Sequence, residues 1–286
     1  MQVVETVSDV RRSRRAGSGS WGLVPTMGFL HAGHLALVTR ARQENDHVGV
    51  SIFVNPTQFG PQEDLAAYPR DLDRDLAQLE AAGADLVWVP PVEEVYPPHF
   101  QTYISVEEVT RPLEGAARPG HFRGVATVVA KLFNVFQPDR AYFGQKDAQQ
   151  VVVIQRMAAD LNFPLEIVVC PTVREPDGLA LSSRNVYLSP EQRAAAPVLY
   201  RALSAARDAW YAGERNGNRL RGIMADVLAA EPLARVDYVS AADPLTLAAL
   251  GTAAEPEPPH GVLLSMAVRI GRARLIDNIL IADSEG

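Results

Sequence analysis

Apolar and polar residues change their period several times along the first 170 or so positions, and each change marks an element. Val48 to Val54 reads Val-Gly-Val-Ser-Ile-Phe-Val, an almost unbroken apolar run that suits a strand buried on both faces. Trp21 to Pro25, Ala84 to Val89, Ala141 to Phe143 and Leu165 to Cys170 are shorter runs of strand character. Between them, His34 to Asn45, Leu72 to Ala82, Gly124 to Phe136 and Asp147 to Leu161 read as helices, and Gly83 supplies a natural C-terminal cap to the second. Strands and helices alternating at this spacing predict βαβ units and a parallel sheet covered on both faces.

After Thr172 the pattern changes. Ser189-Pro190-Glu191-Gln192 has Ser as N-cap, Pro at the first helical position and Gln at capping-box spacing. The helix it opens is expected to run to about Gly213, followed by a second from Arg219 to Ala230. Strands are expected at Val236 to Ser240, Leu263 to Ile270 and Arg274 to Ile281, and a loop at Ala253 to Pro259, which holds three prolines. The reading is an α/β protein with a parallel-sheet domain over residues 1–174 and a smaller α+β domain over residues 175–286.

Composition narrows the classes. A chain of 286 residues with 47% hydrophobic and 21% charged residues builds proper cores and is not a disordered segment. The net charge of −7 argues against a general nucleic-acid binder, while leaving room for a local basic pocket that takes a phosphate. The N-terminus has no long apolar stretch and no run reaches the roughly 18 apolar residues of a membrane span, so a cytosolic protein without a membrane partner is expected. The single cysteine, Cys170, excludes an intramolecular disulfide and reads as a small core residue. Of 27 cationic residues only Lys131 and Lys146 are lysine, so a lysine here marks a place where a compact ammonium is wanted.

Four segments carry chemistry. Pro25-Thr26-Met27-Gly28-Phe29-Leu30-His31-Ala32-Gly33-His34 lies between the first strand and the first long helix. Ligands of open parallel sheets bind at such strand ends, where a helix N-terminus presents free amides, and two histidines there can donate to a triphosphate. The alternatives are a metal pair or a solvated turn, although the spacing is not that of a helical zinc site. Leu181-Ser182-Ser183-Arg184-Asn185 offers two hydroxyls and a guanidinium to a polyphosphate, or forms a simple turn. Together these two segments match the HIGH and KMSKS signatures of the class I adenylyl-transfer superfamily. Gly144-Gln145-Lys146-Asp147 closes a strand, with Lys146 placed to meet a phosphoryl oxygen and Asp147 and Gln150 on one helical face; a surface Lys-Asp pair is the alternative. Asn55 and Gln58, after the second strand, are neutral amides able to bind hydroxyl and carboxylate oxygens, or to cap a loop. Asp71, Asp73 and Asp75 follow at a helix start, where Asp75 serves either as a Mg2+ ligand or as part of a solvated first turn. Arg11 to Arg15 reads as a solvated face.

The strings VPTMGFLHAGH, SIFVNPTQFGPQEDL, YFGQKDAQQ and DGLALSSRN, in that order from Trp21 to Gln192, resemble those of the pantoate–β-alanine ligase family. The resemblance implies a Rossmann-like nucleotidyltransferase domain, a smaller C-terminal lid domain and a homodimer. It also implies a reaction in which pantoate attacks the α-phosphorus of Mg2+-ATP and β-alanine then takes the pantoyl group, giving pantothenate, AMP and pyrophosphate. Carried over by position, Met27, Gly28, Phe29, Leu30, His31, Ala32, Gly33 and His34 line the ATP site, with His34 as general acid. Gly144, Gln145, Lys146 and Asp147 contact the nucleotide, Val173 the adenine, and Leu181, Ser182, Ser183 and Arg184 the phosphates. Gln58 and Gln150 hold pantoate, with Pro25, Thr26 and Asn55 alongside. Rival readings are another nucleotidyltransferase of the superfamily and a nucleotide-binding regulator without turnover.

Overall fold

Six strands form a wholly parallel sheet in the order β1-β4-β3-β2-β5-β6: Gln2–Val4 (β1), Trp21–Thr26 (β2), His47–Ile52 (β3), Leu86–Trp88 (β4), Arg140–Gly144 (β5) and Glu166–Cys170 (β6). The computed structural model describes residues 1–60, 65, 66, 68–251 and 260–282. Contacts divide it into two units, Met1–Gln145 with Val153–Pro171 and Lys146–Val152 with Thr172–Gly286. Residues 146–152 thus group with the second unit, whereas the pattern of the sequence suggests one boundary after residue 174.

The connecting helices are Val7–Ala16 (α1), Ala32–Glu44 (α2), Leu72–Ala81 (α3), the short Val92–Val95 (α4) and Glu114–Ala117 (α5), His121–Phe136 (α6) and Ala148–Asp160 (α7). One face of the sheet packs Val24, Val48, Val50 and Val87 against Leu37, Val38 and Ala41 of α2 and Leu79 of α3. On the other face Phe136 of α6 lies over Gly49 and meets Trp88 edge-on, with ring centroids 6.1 Å apart. Each such aliphatic side chain contributes about 1.5–3 kcal/mol on burial, so the strands that read as apolar runs are those the core demands. Cys170 belongs to this core, and burial pushes its thiol above the usual range, as suits a packing residue.

Two elements escape the sequence pattern. β1 has three residues at the sheet edge, and α1 buries only Val10, so neither shows a period. Arg11, Arg12 and Arg15 of α1 are exposed as expected, but Arg14 lies over the Trp21 ring at 5.7 Å and pairs with Asp139 at 3.6 Å. Helices also begin earlier than the apolar period suggests: α2 at Ala32, where His31 and His34 form a capping box, and α6 at His121, where His121 and Phe122 are buried and the left-handed Gly120 turns the chain into the helix.

In the second unit the expected long helix is two, Pro190–Ala195 (α8) and Val198–Tyr211 (α9), since Pro197 has no N–H to continue the ladder. The capping box at Ser189 and Gln192 is formed as read. Gly217–Ala229 (α10) follows, then an antiparallel sheet of Ala234–Ala242 (β7), Val262–Ile270 (β8) and Ala273–Ile281 (β9) in that order. Leu199, Leu203, Trp210, Leu220 and Met224 of the helices pack on Leu264, Met266 and Val268 of β8. The proline-rich stretch 253–259 lies outside the described residues.

Arg174 is anchored in this unit by a two-pronged pair to Asp277 on β9, at 2.6 and 2.9 Å, and lies 4.2 Å over the Tyr200 ring. The Asp277 side chain is 2% exposed and that of Arg174 17%. Removing one partner strands a charge away from water, so Asp277→Ala should lower unfolding free energy by about 3–5 kcal/mol in urea denaturation. A loss below about 1 kcal/mol would mean that the pair behaves as a surface bridge.

Candidate functional site

In the larger unit the chain moves outward from β2 through β3 and β4 on one side and through β5 and β6 on the other. The break lies between β2 and β5, and in open α/β sheets the crevice at the carboxyl ends of strands flanking such a break is where ligands bind. Met27 to His31 leave β2 there, Phe53 to Gln58 leave β3, and Gly144 ends β5 with Gln145 following it.

His31 caps α2. Its Nδ1 accepts the N–H of Gly33 at 3.1 Å, and the N–H of His31 donates to Nδ1 of His34 at 3.3 Å, a capping box made of two histidines. A nitrogen that accepts has its lone pair in the ring plane, so each neutral imidazole carries its proton on Nε2 and is a donor there. The rings lie 4.1 Å apart at the positive end of α2. A Cβ at position 33 would stand 2.9 Å from Cε1 of His31, so glycine is what allows this cap to close.

The loop before His31 turns through two left-handed residues, Gly28 at φ 80° and Phe29 at φ 51°. Asp75 of α3 holds it: Oδ2 accepts the N–H of Phe29 at 2.6 Å and Oδ1 that of Leu30 at 2.8 Å. Thr26 fixes its start, donating to the Ser51 carbonyl at 2.8 Å and accepting from the Gly28 N–H at 3.2 Å. Asp75 is 1% exposed, so it is not the solvated first-turn acid that one reading allows, and both oxygens are engaged by amides. Leu30 has its side chain in the core and its N–H on Asp75, so it frames the expected nucleotide segment from inside. Its carbonyl takes a 3.4 Å bond from Arg74 Nη2. The sign that could have revealed Asp75 is its place four residues before Leu79, on the stripe of α3 that faces the core.

After β3, Asn55 caps the single 310 turn Pro56–Gln58. Its Oδ1 accepts from Thr57 Oγ1 and the Tyr96 hydroxyl, both at 2.9 Å, and its Nδ2 donates to Gln58 Oε1 at 3.0 Å and the Gly124 carbonyl at 3.2 Å. At 1% exposure Asn55 spends its amide inside the protein and orients Gln58. Gln58 is half-buried, and its Nε2 reaches Met27 Sδ at 3.2 Å, which joins the second and first loops. Burial raises the Tyr96 hydroxyl above its ordinary range, keeping it a neutral donor in this network. Neither Tyr96 nor Gly124 carries a sequence signal, since both act through contacts made by remote segments.

In the smaller unit, Lys146 lies within the 310 turn Gln145–Asp147, and α7 begins at Ala148, one residue later than expected. Its carbonyl accepts from Nδ2 of the buried Asn278 on β9 at 2.9 Å. Asp147 and Gln150 are half-buried, as is Val173, whose carbonyl takes the N–H of Leu181 at 3.0 Å. Ser182 caps the 310 turn Ser183–Tyr187 through a 3.2 Å bond from the Arg184 N–H. Arg184 is exposed, and neither it nor Lys146 makes an ion pair with a described residue. Among the described residues no group of three or more His, Cys, Asp or Glu side chains stands ready for a metal ion, and no helix is long and apolar enough to cross a membrane.

The family model for pantoate-beta-alanine ligase matches residues 2–280. A pantothenate synthetase of Chloroflexus aggregans is 64% identical over 281 residues, covering 98% of this chain and 100% of that protein. One from Moorella thermoacetica is 55% identical, with 98% and 99% covered. Among solved structures, pantothenate synthetase from Thermus thermophilus superposes with a TM-score of 0.91 at 53% identity, covering 98% of this chain and 99% of that one. The pantoate-beta-alanine ligase of Francisella tularensis, complexed with beta-gamma ATP and beta-alanine, gives 0.78 at 33% identity, with 98% and 97% covered.

The approach of α6 to the Asn55 turn is tight: a Cβ on Gly124 would lie 2.4 Å from the Thr57 carbonyl oxygen. Replacing a mid-helix glycine with alanine elsewhere gains about 1 kcal/mol. Here the overlap with rigid backbone dominates, and Gly124→Ala should instead cost about 1–3 kcal/mol, read as a lower melting temperature. A melting temperature at or above that of the parent would show that the turn and α6 do not touch in this way.

Proposed function

This chain belongs to the pantoate–β-alanine ligase family, and from that premise we propose that it condenses pantoate with β-alanine, using ATP, to give pantothenate, AMP and pyrophosphate. The observation that carries the reading is the histidine capping box of α2, which presents two Nε2–H donors beside a helix N-terminus at the switch point of a parallel sheet. A triphosphate needs donors and positive potential there, and no covalent nucleophile.

In the first step a carboxylate oxygen of pantoate bonds to the α-phosphorus while the bond to the bridging oxygen breaks, and pyrophosphate leaves with the electron pair. His34 and His31 donate hydrogen bonds to phosphoryl oxygens through Nε2; His34, expected as general acid, keeps its proton and stabilises the leaving oxygen as a donor, and pyrophosphate departs as the anion. The ammonium of Lys146 and guanidinium of Arg184, which make no ion pair among the described residues, spread with the hydroxyls of Ser182 and Ser183 the negative charge that grows on the phosphoryl group. Gln58 and Gln150 bind pantoate through neutral amides. In the second step the amine of β-alanine bonds to the acyl carbon, AMP departs and the amine loses a proton.

Mg2+ enters as the counter-ion of ATP. Among the described residues a dedicated protein cage does not fit, since Asp75, the acid expected as a ligand, spends both oxygens on backbone amides. An ion held by phosphates and water suits magnesium, which sheds its hydration shell reluctantly. In the same reading residues 1–174 bind ATP and pantoate, residues 175–286 shield the acyl adenylate from water as a lid, and the enzyme works as a cytoplasmic homodimer.

Supplied with ATP, Mg2+ and pantoate but no β-alanine, the protein should exchange labelled pyrophosphate into ATP, and AMP should accumulate only once β-alanine is added. Exchange that ignores pantoate would overturn the assignment. His34→Ala and Lys146→Ala should each slow exchange by on the order of 10² or more. Lys146→Ala should keep a melting temperature close to that of the parent, and His34→Ala should lose no more stability than a lost helix cap costs, about 0.5–2 kcal/mol. Parental rates in either variant would remove that residue from the mechanism.

A further inference from the structure

The least expected acid of the larger unit is Asp75. Its carboxylate is buried, has no Lys or Arg ion pair among the described residues, and accepts two successive loop amides at 2.6 and 2.8 Å. The loop so held contains Phe29 at φ 51°, a conformation that a side chain with a Cβ adopts with strain. The next residue but one is His31, whose ring position depends on where the backbone enters α2. The same first turn of α3 grips the loop twice more, through the Arg74 bond to the Leu30 carbonyl at 3.4 Å and the Arg74 guanidinium 5.5 Å over the Phe29 ring.

We propose that Asp75 is a positioning residue, which latches the left-handed turn at Gly28–Phe29 and thereby fixes the direction in which His31 and His34 present their Nε2–H groups. Only a carboxylate fits the task, because both groups facing it are donors. An asparagine of the same shape keeps one acceptor and turns an N–H toward a backbone N–H. The latch also decides which amides meet an anion: those of Phe29 and Leu30 are filled from inside, which leaves the ligand to the N-terminus of α2. The inference rests on the ligase reading for its activity readout, and on the loop geometry alone for its second readout.

Its test is a double-mutant cycle of Asp75→Asn and Phe29→Gly, read by pantoate-dependent pyrophosphate exchange. Asp75→Asn should lower kcat by about 10–100-fold with little change in KM for pantoate, the effect of unmaking a charge-assisted bond. Glycine at position 29 adopts the left-handed turn without strain, so adding Phe29→Gly to Asp75→Asn should restore about tenfold of that loss, beyond what the single changes multiply to. Parental kcat in Asp75→Asn, or two effects that simply multiply, overturns the proposal. Hydrogen exchange of the intact protein gives the independent arm: the amides of residues 29 and 30 should lose protection in Asp75→Asn while the α2 interior keeps its own, and unchanged protection also overturns it. Should Asp75→Asn fail to fold, Asp75→Glu, which keeps the charge and moves it by one methylene, takes its place with the same rescue expected. If the parent protein shows no pantoate-dependent exchange the ligase reading falls, and the hydrogen-exchange arm alone then decides about Asp75.

Discussion

Where a parallel strand ends, its backbone groups lose the neighbour that paired them, and the next few residues must find partners or be left to water. Each loop of the candidate site in the larger unit is a solution to that requirement. After β2 the amides of Phe29 and Leu30 go to Asp75, and the amide of Gly33 goes to the His31 ring. After β3 the amide of Thr57 goes to Asn55. A buried backbone donor without a partner costs about as much as a lost hydrogen bond, so the side chains that fill these places are fixed in position as tightly as the strands themselves. The same bonds that complete the backbone therefore orient the groups that remain for a ligand.

That division of labour explains what could be read from the sequence and what could not. The strands β2, β3, β5 and β6 and the helices α2, α3 and α6 show in the pattern because burial imposes a period on each of them. The histidines, Lys146 and Ser182 to Arg184 stand out because donors and cations of that kind, gathered in short strings, suit the proposed phosphate chemistry. Asp75 reads in the sequence as one of three acids at a helix start, and Asn55 as an amide for substrate, since a string does not say which neighbour a side chain faces. Each is instead paired with segments far away in the chain: Asp75 with residues 45 and 46 positions earlier, Asn55 with Tyr96 and Gly124. Local pattern shows at most that such a polar residue is buried, as the place of Asp75 on the core-facing stripe of α3 does, and never which distant group it holds. β1 and α1 are missed for the opposite reason, since they bury too little to generate a period.

The two lysines in a chain that otherwise uses arginine illustrate a partial signal. Lys131 stands 4.7 Å over the Phe100 ring, and burial lowers its ammonium below the usual range. It serves packing on α6 rather than the proposed chemistry. Lys146 makes no ion pair among the described residues and has its backbone pinned by Asn278. Rarity singled out both, and only the surroundings separate them: one cation has a ring as partner, while the other makes no ion pair among the described residues.

Charge is also distributed to match what the proposed reaction asks of each reactant. The phosphoryl group gains negative charge on the way to the transition state, so cations and N–H donors near it bind the transition state more strongly than the ground state. The attacking carboxylate loses charge along the same path. A guanidinium paired with it would hold the ground state more tightly than the transition state and slow the attack. A neutral amide binds the acid with a smaller penalty, provided that its orientation is fixed by something else. Gln58 meets that condition, since its Oε1 is bound by Asn55 and its Nε2 touches the Met27 thioether, an acceptor weak enough to yield to a carboxylate. In the proposed reaction the placement of Asn55 inside the protein is thus what would make an uncharged contact from Gln58 sufficient.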